Sequence, residues 1–271
     1  MVAPGRIWHA LEDDEVVGRA DVLRRPDGRT FVAVDAWHAD VGAELVETVI
    51  RAVPEDLYST VGEDDAVHVV VLRAEGRGFN AGVDIKEMQA TDGFDALIGA
   101  NRGCYEAFAA VYECKVPVIA AVHGFCLGGG IGLVGNADII VASDDATFGL
   151  PEVDRGALGA ATHLARLVPQ HKMRAMVYTS ATATAAELHA FGSVLAVVPQ
   201  GDLRSTALEV AGQIAAKSPT VIRAAKQSLN GIDPVDVHRS YRFEQGFTFE
   251  LNLSGVADEH RDAFVQKKDD T

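Results

Sequence analysis

Residues Lys115–Asp138, KVPVIAAVHGFCLGGGIGLVGNAD, constrain this chain more than any other stretch. Val116–Val122 is a β-branched, nearly uncharged run that reads as a fully buried strand, and His123-Gly124 ends it. Gly128, Gly129 and Gly130 then lead into Ile131, Gly132, Leu133 and Val134, which predicts the first turn of a buried helix. The first N–H groups of a helix lack intrahelical acceptors and sit at its positive end, so residues without side chains there let an anionic oxygen reach the backbone. The stretch is a candidate oxyanion site; the plainer reading is close helix packing that requires glycine. Gly130-x-Gly132-x-x-Gly135 also fits a dinucleotide pattern, but the next strand, Ala137–Val141, begins almost at once and leaves no room for the crossover helix that fold needs. No Gly-Lys-Ser/Thr and no Gly-x-Ser-x-Gly occurs here, which removes the phosphate-loop and nucleophile-elbow readings.

A second loop has the same construction. Val67–Leu72 reads as a buried strand and runs into Arg73–Asp84, a loop holding Gly76, Gly78 and Gly82 that ends in an acidic helix start, Asp84-Ile85-Lys86-Glu87. Both loops follow buried strands, and ligands of open α/β folds gather at such strand ends. Between the loops the spacing predicts a helix over Phe94–Tyr112. Upstream, residues 1 to 30 are charged and turn-rich, with Arg24-Arg25-Pro26-Asp27-Gly28 as a hairpin signal; Phe31–Asp35 reads as a strand and Ala43–Val53 as a helix. Downstream, Ile139–Ala142 reads as a strand, and Pro151 favours extended or turn backbone before Glu152. In an extended segment Glu152 and Asp154 share a face, and their closeness would raise the pKa of at least one of them, which suits acid–base work; the alternative is a solvated acidic loop. From Thr162 onward the pattern is helical, broken at Pro169, near Gly192, and at Pro199 and Pro219, and Arg239–Lys268 reads as terminal helices packed on the body or on a neighbouring subunit.

Composition excludes several classes. A chain of 271 residues, 48% hydrophobic, can bury a large core in one domain, with or without a terminal extension. A net charge of -15, from 24 basic and 39 acidic residues, argues against a nucleic-acid groove or an anionic membrane surface as partner. No apolar run approaches the roughly 18 residues of a membrane span, and MVAPGRIWHALEDDE lacks a secretory layout. Cys104, Cys114 and Cys126 are odd in number and lack metal-type spacing, so reduced thiols in a cytoplasmic protein are expected. Cys126, beside the glycine cluster, is a candidate nucleophile, with a small buried filler as the alternative. The scattered histidines offer no metal cluster.

Four motifs in order, Phe79–Glu87, Ala120–Gly130, Ala137–Ile140 and Phe148–Glu152, resemble the enoyl-CoA hydratase/isomerase (crotonase) family, and Glu259–Phe264 is similar to its end pattern. The resemblance implies an α/β fold: the crotonase (ClpP-like) spiral of ββα units over residues 1 to 200, atypical over 1 to 60, with a C-terminal helical trimerisation region over 201 to 271. It implies a homotrimer or a hexamer, an acyl-CoA thioester substrate that brings coenzyme A with it, no permanently bound cofactor and no metal. Carried over by position, the backbone N–H groups of Val83 and Gly129 hold the thioester oxygen and stabilise an enolate, flanked by Asp84 and Gly128. Backbone near Ala81 and Ile85 meets adenine, and Lys86 or Lys267 meets phosphate. Hydratases of the family carry two glutamates; the first falls at Gly132, and Glu152 takes the place of the second. Stretches Arg73–Gln89, Gly156–His163 and Glu244–Leu253 resemble the branch of the family that opens a ring in steroid degradation by hydrolysis. That resemblance implies that Glu152, with Asp154 setting its pKa, activates water against a ring ketone β to the thioester, and that Gly132 leaves room for the ring. Arg155 is a candidate for pairing with either acid or for a substrate carbonyl. His123 and His163 are candidates for proton relay or for structural hydrogen bonds, and Glu244 and Arg242 for reaching over the site. An enoyl-CoA isomerase or hydratase, and a non-catalytic acyl-CoA binder, are the alternative functions.

Overall fold

A computed structural model describes residues 3–12, 15–24, 30–36, 67–83, 94–257 and 260. The expected helix at Ala43–Val53, the turn after Arg24, the helix start at Asp84–Glu87 and the Glu259–Phe264 pattern fall wholly or largely outside these residues.

The backbone runs β1 (Ala3–Glu12), β2 (Glu15–Arg24), β3 (Thr30–Ala36) and β4 (Val70–Ala74). After α1 (Phe94–Glu113) come β5 (Val118–Val122), β6 (Phe125–Leu127) and α2 (Gly129–Val134). Next are β7 (Ile139–Ser143), β8 (Thr147–Gly149), a 3-10 turn (Pro151–Arg155), α3 (Ala161–Leu164) and α4 (Gln170–Thr179). The chain closes with β9 (Thr182–Thr184), α5 (Ala185–Ala190), β10 (Ala196–Val198), α6 (Gln200–Ala215), α7 (Pro219–Gly231) and α8 (Val237–Leu253). The first 30 residues hold two long antiparallel strands, and β2 pairs with β3 as the hairpin signal required. The proline breaks are borne out, since Pro169 and Pro199 precede α4 and α6 and Pro219 opens α7. The helical pattern beyond Thr162 missed β9 and β10, whose three residues each are too short to show a period.

Two sheets share the strands. The larger has the order β1-β2-β3-β4-β5-β7-β10, parallel from β3 onward, and the smaller has the order β6-β8-β9. Successive turns of the chain repeat one move: a strand in the large sheet, a short strand in the small one, then a helical segment. β5, β6 and α2 make one such turn, and β7, β8 and the 3-10 turn make the next. Asn80 extends the small layer by a parallel bridge to Cys126.

The parallel strands read as continuous apolar runs because both faces are covered. Val70, Leu72, Val118, Ala120, Val122 and Ile140 face a core shared with α1 and α2. The alternate residues Val69, Val71, Ile119, Ala121 and Val141 meet Leu203, Ala207, Ala211 and Ala215 of α6. Spacing of four places those α6 residues on one stripe, and three alanines let the helix lie close to the sheet. Residues before and after 200 therefore share one core. The remaining C-terminal helices are tied to the body by buried polar contacts. Lys226 Nζ of α7 donates to both carboxylate oxygens of Asp138, at 2.8 and 2.7 Å, while Asp138 Oδ2 also accepts from the Val118 N–H. Gln245 Nε2 of α8 donates to the Asn101 carbonyl at 2.7 Å.

Candidate active site

Asn80 shapes the first glycine loop. Its carbonyl accepts from the Leu127 N–H at 2.8 Å, and its side-chain Oδ1 accepts from the Gly82 N–H at 2.9 Å. The chain then turns at Gly82, whose φ of 102° favours glycine, and delivers Val83. A Cβ on Gly82 would lie 3.7 Å from the Gly128 Cα and 3.7 Å from the Gly129 nitrogen, so the two loops meet at these residues. Gly129 opens α2, so its N–H is one that a helix leaves without an intrahelical acceptor. Sequence reasoning placed Asn80 in a motif without giving it a task; an Asn two residues before a glycine is the local signal for such a turn. Asn80→Ala removes the acceptor of the Gly82 N–H. It is expected to cost about 1 kcal/mol of stability and to lower kcat/KM by at least about tenfold through misplacement of the loop, measurable by thermal melting and steady-state assay.

The glycines divide between the two readings weighed from sequence. Gly128 and Gly129 lie against the site, whereas Gly130, Gly132 and Gly135 serve packing. A Cβ on Gly130 would come within 2.9 Å of the Asn80 Cβ, and one on Gly135 within 2.6 Å of the His163 carbonyl oxygen. A Cβ on Gly132 would enter the ring of Phe108 from α1. This corrects the expectation that Gly132 leaves room for substrate: Phe108, 2% exposed, already fills that space and packs edge-on against His163 at 5.1 Å.

Glu152 stands against Gly128. Its Oε1 lies 2.6 Å from where a Gly128 Cβ would be, and its Oε2 is enclosed without a hydrogen-bond partner. Burial pushes the Glu152 carboxyl up to about 8; nearby Arg155 pulls it down, and Glu244 pushes it up further. Two expectations are corrected here. Of the extended and turn backbones open to it, the segment from Pro151 takes the turn, a 3-10 helix in which Glu152 and Asp154 do not share a face. Asp154 is consequently exposed, and the carboxylate that presses on Glu152 is Glu244 of α8. Arg155, on the same turn, favours the ionised form of Glu152 by its charge.

The other candidates divide clearly. His123 is buried and donates from Nε2 to the Gly76 carbonyl at 3.0 Å, which braces the two loops against each other. His163 Nδ1 accepts from Asn136 Nδ2 at 2.9 Å, and burial lowers its pKa to about 3, so the ring is neutral and held in an aromatic cluster with Phe108 and Tyr241. Glu244 reaches the site region, but its partner candidate Arg242 is exposed and lies over the Tyr105 ring at 3.6 Å. Cys126 is fully buried with its thiol pushed up by desolvation, the environment of a filler and not of a nucleophile. Ala81 lies half-buried in the first loop, while Asp84, Ile85, Lys86 and Lys267 lie outside the described residues. Among the described residues there is no cluster that could hold a metal ion and no helix long and apolar enough to cross a membrane.

A spiral of strand pairs whose two glycine loops meet beside the carboxyl of Glu152 defines a class, and the chain belongs to the enoyl-CoA hydratase/isomerase family, whose model matches residues 52–269. The crystal structure of an enoyl-CoA hydratase of Mycobacterium smegmatis superposes with a TM-score of 0.73 at 26% identity, covering 93% of this chain and 97% of that one. Two relatives are more similar in sequence. The (7aS)-7a-methyl-1,5-dioxo-2,3,5,6,7,7a-hexahydro-1H-indene-carboxyl-CoA hydrolase of Rhodococcus jostii (strain RHA1) is 64% identical over 247 residues, 89% of this chain and 92% of that protein. The protein of the same name from Mycobacterium tuberculosis (strain ATCC 25618 / H37Rv) is 69% identical over 212 residues, 78% of this chain and 86% of that protein.

Proposed function

We propose that this chain hydrolyses a carbon–carbon bond in a ring of a cyclic β-keto acyl-CoA, a bicyclic diketone thioester of steroid breakdown of the kind named for its two relatives. The observation that carries the chemistry is the enclosed Glu152 carboxyl pressed against Gly128, beside the meeting point of the two glycine loops.

Glu152 in its ionised form takes a proton from a water whose oxygen bonds to the ring carbonyl carbon. The resulting tetrahedral centre releases the carbon next to the thioester; the bond between them breaks, and its electron pair becomes the thioester enolate. The N–H groups of Val83 and Gly129 hold the enolate oxygen, a donation worth about 3 kcal/mol per donor in such sites. The proton held by Glu152 then passes to the enolate carbon, leaving a ring-opened acyl-CoA that bears a new carboxyl group. Substrate and one water are the whole input. A carboxyl with a pKa near 8 is suited to both transfers, because it gives and takes a proton near neutral pH at little cost.

Coenzyme A enters with the substrate, its adenine near Ala81 and Ile85 and its phosphates near Lys86 or Lys267. Residues 201 to 271 form the region through which a homotrimer or hexamer assembles. Exposed Val221, Leu229 and Ile232 of the α7 region and Phe243 and Leu253 of α8 supply apolar surface for it. The three cysteines are free and buried, which suits a reducing cytoplasm.

An isomerase reading is favoured by the same single acid, which could move a proton within an unsaturated acyl-CoA without water. Turnover in isotope-labelled water separates the two. Hydrolysis is expected to place one labelled oxygen in the new carboxyl and to raise the mass by one water; an unlabelled product of unchanged mass would assign the isomerase instead.

A further inference from the structure

The loop that follows Glu152 has no polar side chain of its own to hold it. Gly156-Ala157-Leu158-Gly159-Ala160 leads to α3, whose N-cap, Ala160, has a φ of 60° and no side-chain cap. The two N–H groups that open this short helix are satisfied from far along the chain. Glu244 Oε1 accepts from the Ala161 N–H at 2.8 Å and Oε2 accepts from the Thr162 N–H at 3.0 Å. One turn further along α8, Thr248 Oγ1 donates to the Leu158 carbonyl at 2.7 Å. The loop between these two clamps lies along the acid: a Cβ on Gly159 would be 4.0 Å from the Glu152 Cγ, and the Ala157 N–H donates to the Glu152 carbonyl at 3.0 Å.

From this geometry we infer that Glu244 is a positioning residue for Glu152, fixing from the C-terminal helix the loop that backs the acid. The inference rests on the reading of Glu152 as the working acid. Its reach is checked by what else surrounds that carboxyl. Arg155 on the same turn favours its ionised form. Cys104 of α1 and Tyr241 of α8 lie close enough to feel its charge, and both are themselves driven towards their neutral forms by burial. The loop from Gly156 to Thr162 contains no titratable side chain. α4, which packs beside the turn, has Lys172 paired with Glu187 at 2.9 Å and Arg174 directed to the Tyr178 hydroxyl. Glu244 is thus the carboxyl that bears on Glu152 from another element, itself pushed up by burial and held down by the Thr162 and Ala161 N–H groups it accepts from.

Three variants test this on a cyclic β-keto acyl-CoA. Glu244→Gln keeps the size and one acceptor but removes the charge; the acid limb of kcat/KM against pH is expected to move to lower pH. A residue that merely stabilised the fold would lower the melting temperature without moving that limb. Glu244→Ala also frees the loop and is expected to lower kcat by about a hundredfold, the effect of misplacing a working group by about 1 Å. If that variant does not fold, Thr248→Val, which keeps every Glu244 contact, is expected to lower kcat and leave KM unchanged. An unshifted limb in Glu244→Gln, with wild-type kcat in Thr248→Val, overturns the inference. The control Glu152→Gln separates the two readings, since its inactivity alongside those results would leave the working acid in place and remove only its supposed support.

Discussion

Glu152→Gln is expected to lower kcat by about 10²–10⁴, the usual contribution of a positioned acid–base group, while the protein folds normally. The amide matches the carboxyl in shape, so the packing against Gly128 survives and only the proton transfer is lost. The pH dependence has a definite sign. The Glu152 carboxyl titrates near 8, so it is mostly protonated at pH 7 and only about one molecule in ten carries the base. The wild-type kcat/KM should therefore rise roughly tenfold per pH unit below that value and level off above it. Stability runs the other way. A carboxyl whose folded pKa lies above its ordinary 4.5 holds its proton in the native state after the unfolded chain has lost it. Stability is then fully present below 4.5 and is lost as pH rises towards about 8. Glu152→Gln removes that loss, so it should unfold at higher denaturant than wild type in alkaline buffer and show little advantage at pH 5. A variant that turned over normally, or lost stability with rising pH as steeply as wild type, would remove Glu152 from the role of buried working acid.

Substitution at Gly132 is expected to be costly to the fold before it affects catalysis. Even a methyl group there enters the Phe108 ring, which is held by His163 on one side and Tyr241 on another and has little freedom to retreat. Gly132→Ala should destabilise the protein by about 1–3 kcal/mol through overpacking. Gly132→Glu adds a carboxylate to an apolar cluster and should exceed about 3 kcal/mol. The pair is expected to be non-additive: in a Phe108→Ala background, itself about 3–5 kcal/mol less stable, Gly132→Ala should cost little, because the cavity accepts the methyl. Denaturant titration of the four proteins measures the coupling. Equal cost of Gly132→Ala in both backgrounds would mean that Phe108 does not own the space beside residue 132.

These two sites show where reading along the chain succeeds and where it stops. The strand at β5, the glycine turn after it, the second loop after β4 and the return strand β7 were all legible, because each follows from local signals: a β-branched run, a breaker, a glycine cluster. The pairing of the two loops was foreseen through the resemblance of linked motifs. By contrast, Pro151 allowed either extended or turn backbone, and the extended option, on which a shared face for Glu152 and Asp154 rested, was not taken: the proline opens a 3-10 turn. With it failed the pairing to Asp154, which depended wholly on that geometry. The space expected at Gly132 failed for another reason: the absence of a side chain says nothing about whether a distant ring will occupy the gap.

From the residues alone came the buried parallel strands, the two glycine turns that follow them, Glu152 and the family to which they belong, since these are written in neighbours a few positions apart. Tertiary structure alone decided that Phe108 closes the slot at Gly132, that Asn80 sets the first turn, and that Glu244 and not Asp154 bears on Glu152. Desolvation and charge coupling depend on distance through space, and the helix that delivers Glu244 to the loop behind the acid starts more than 80 residues beyond it, at a contact separation of 83 for Ala161 itself.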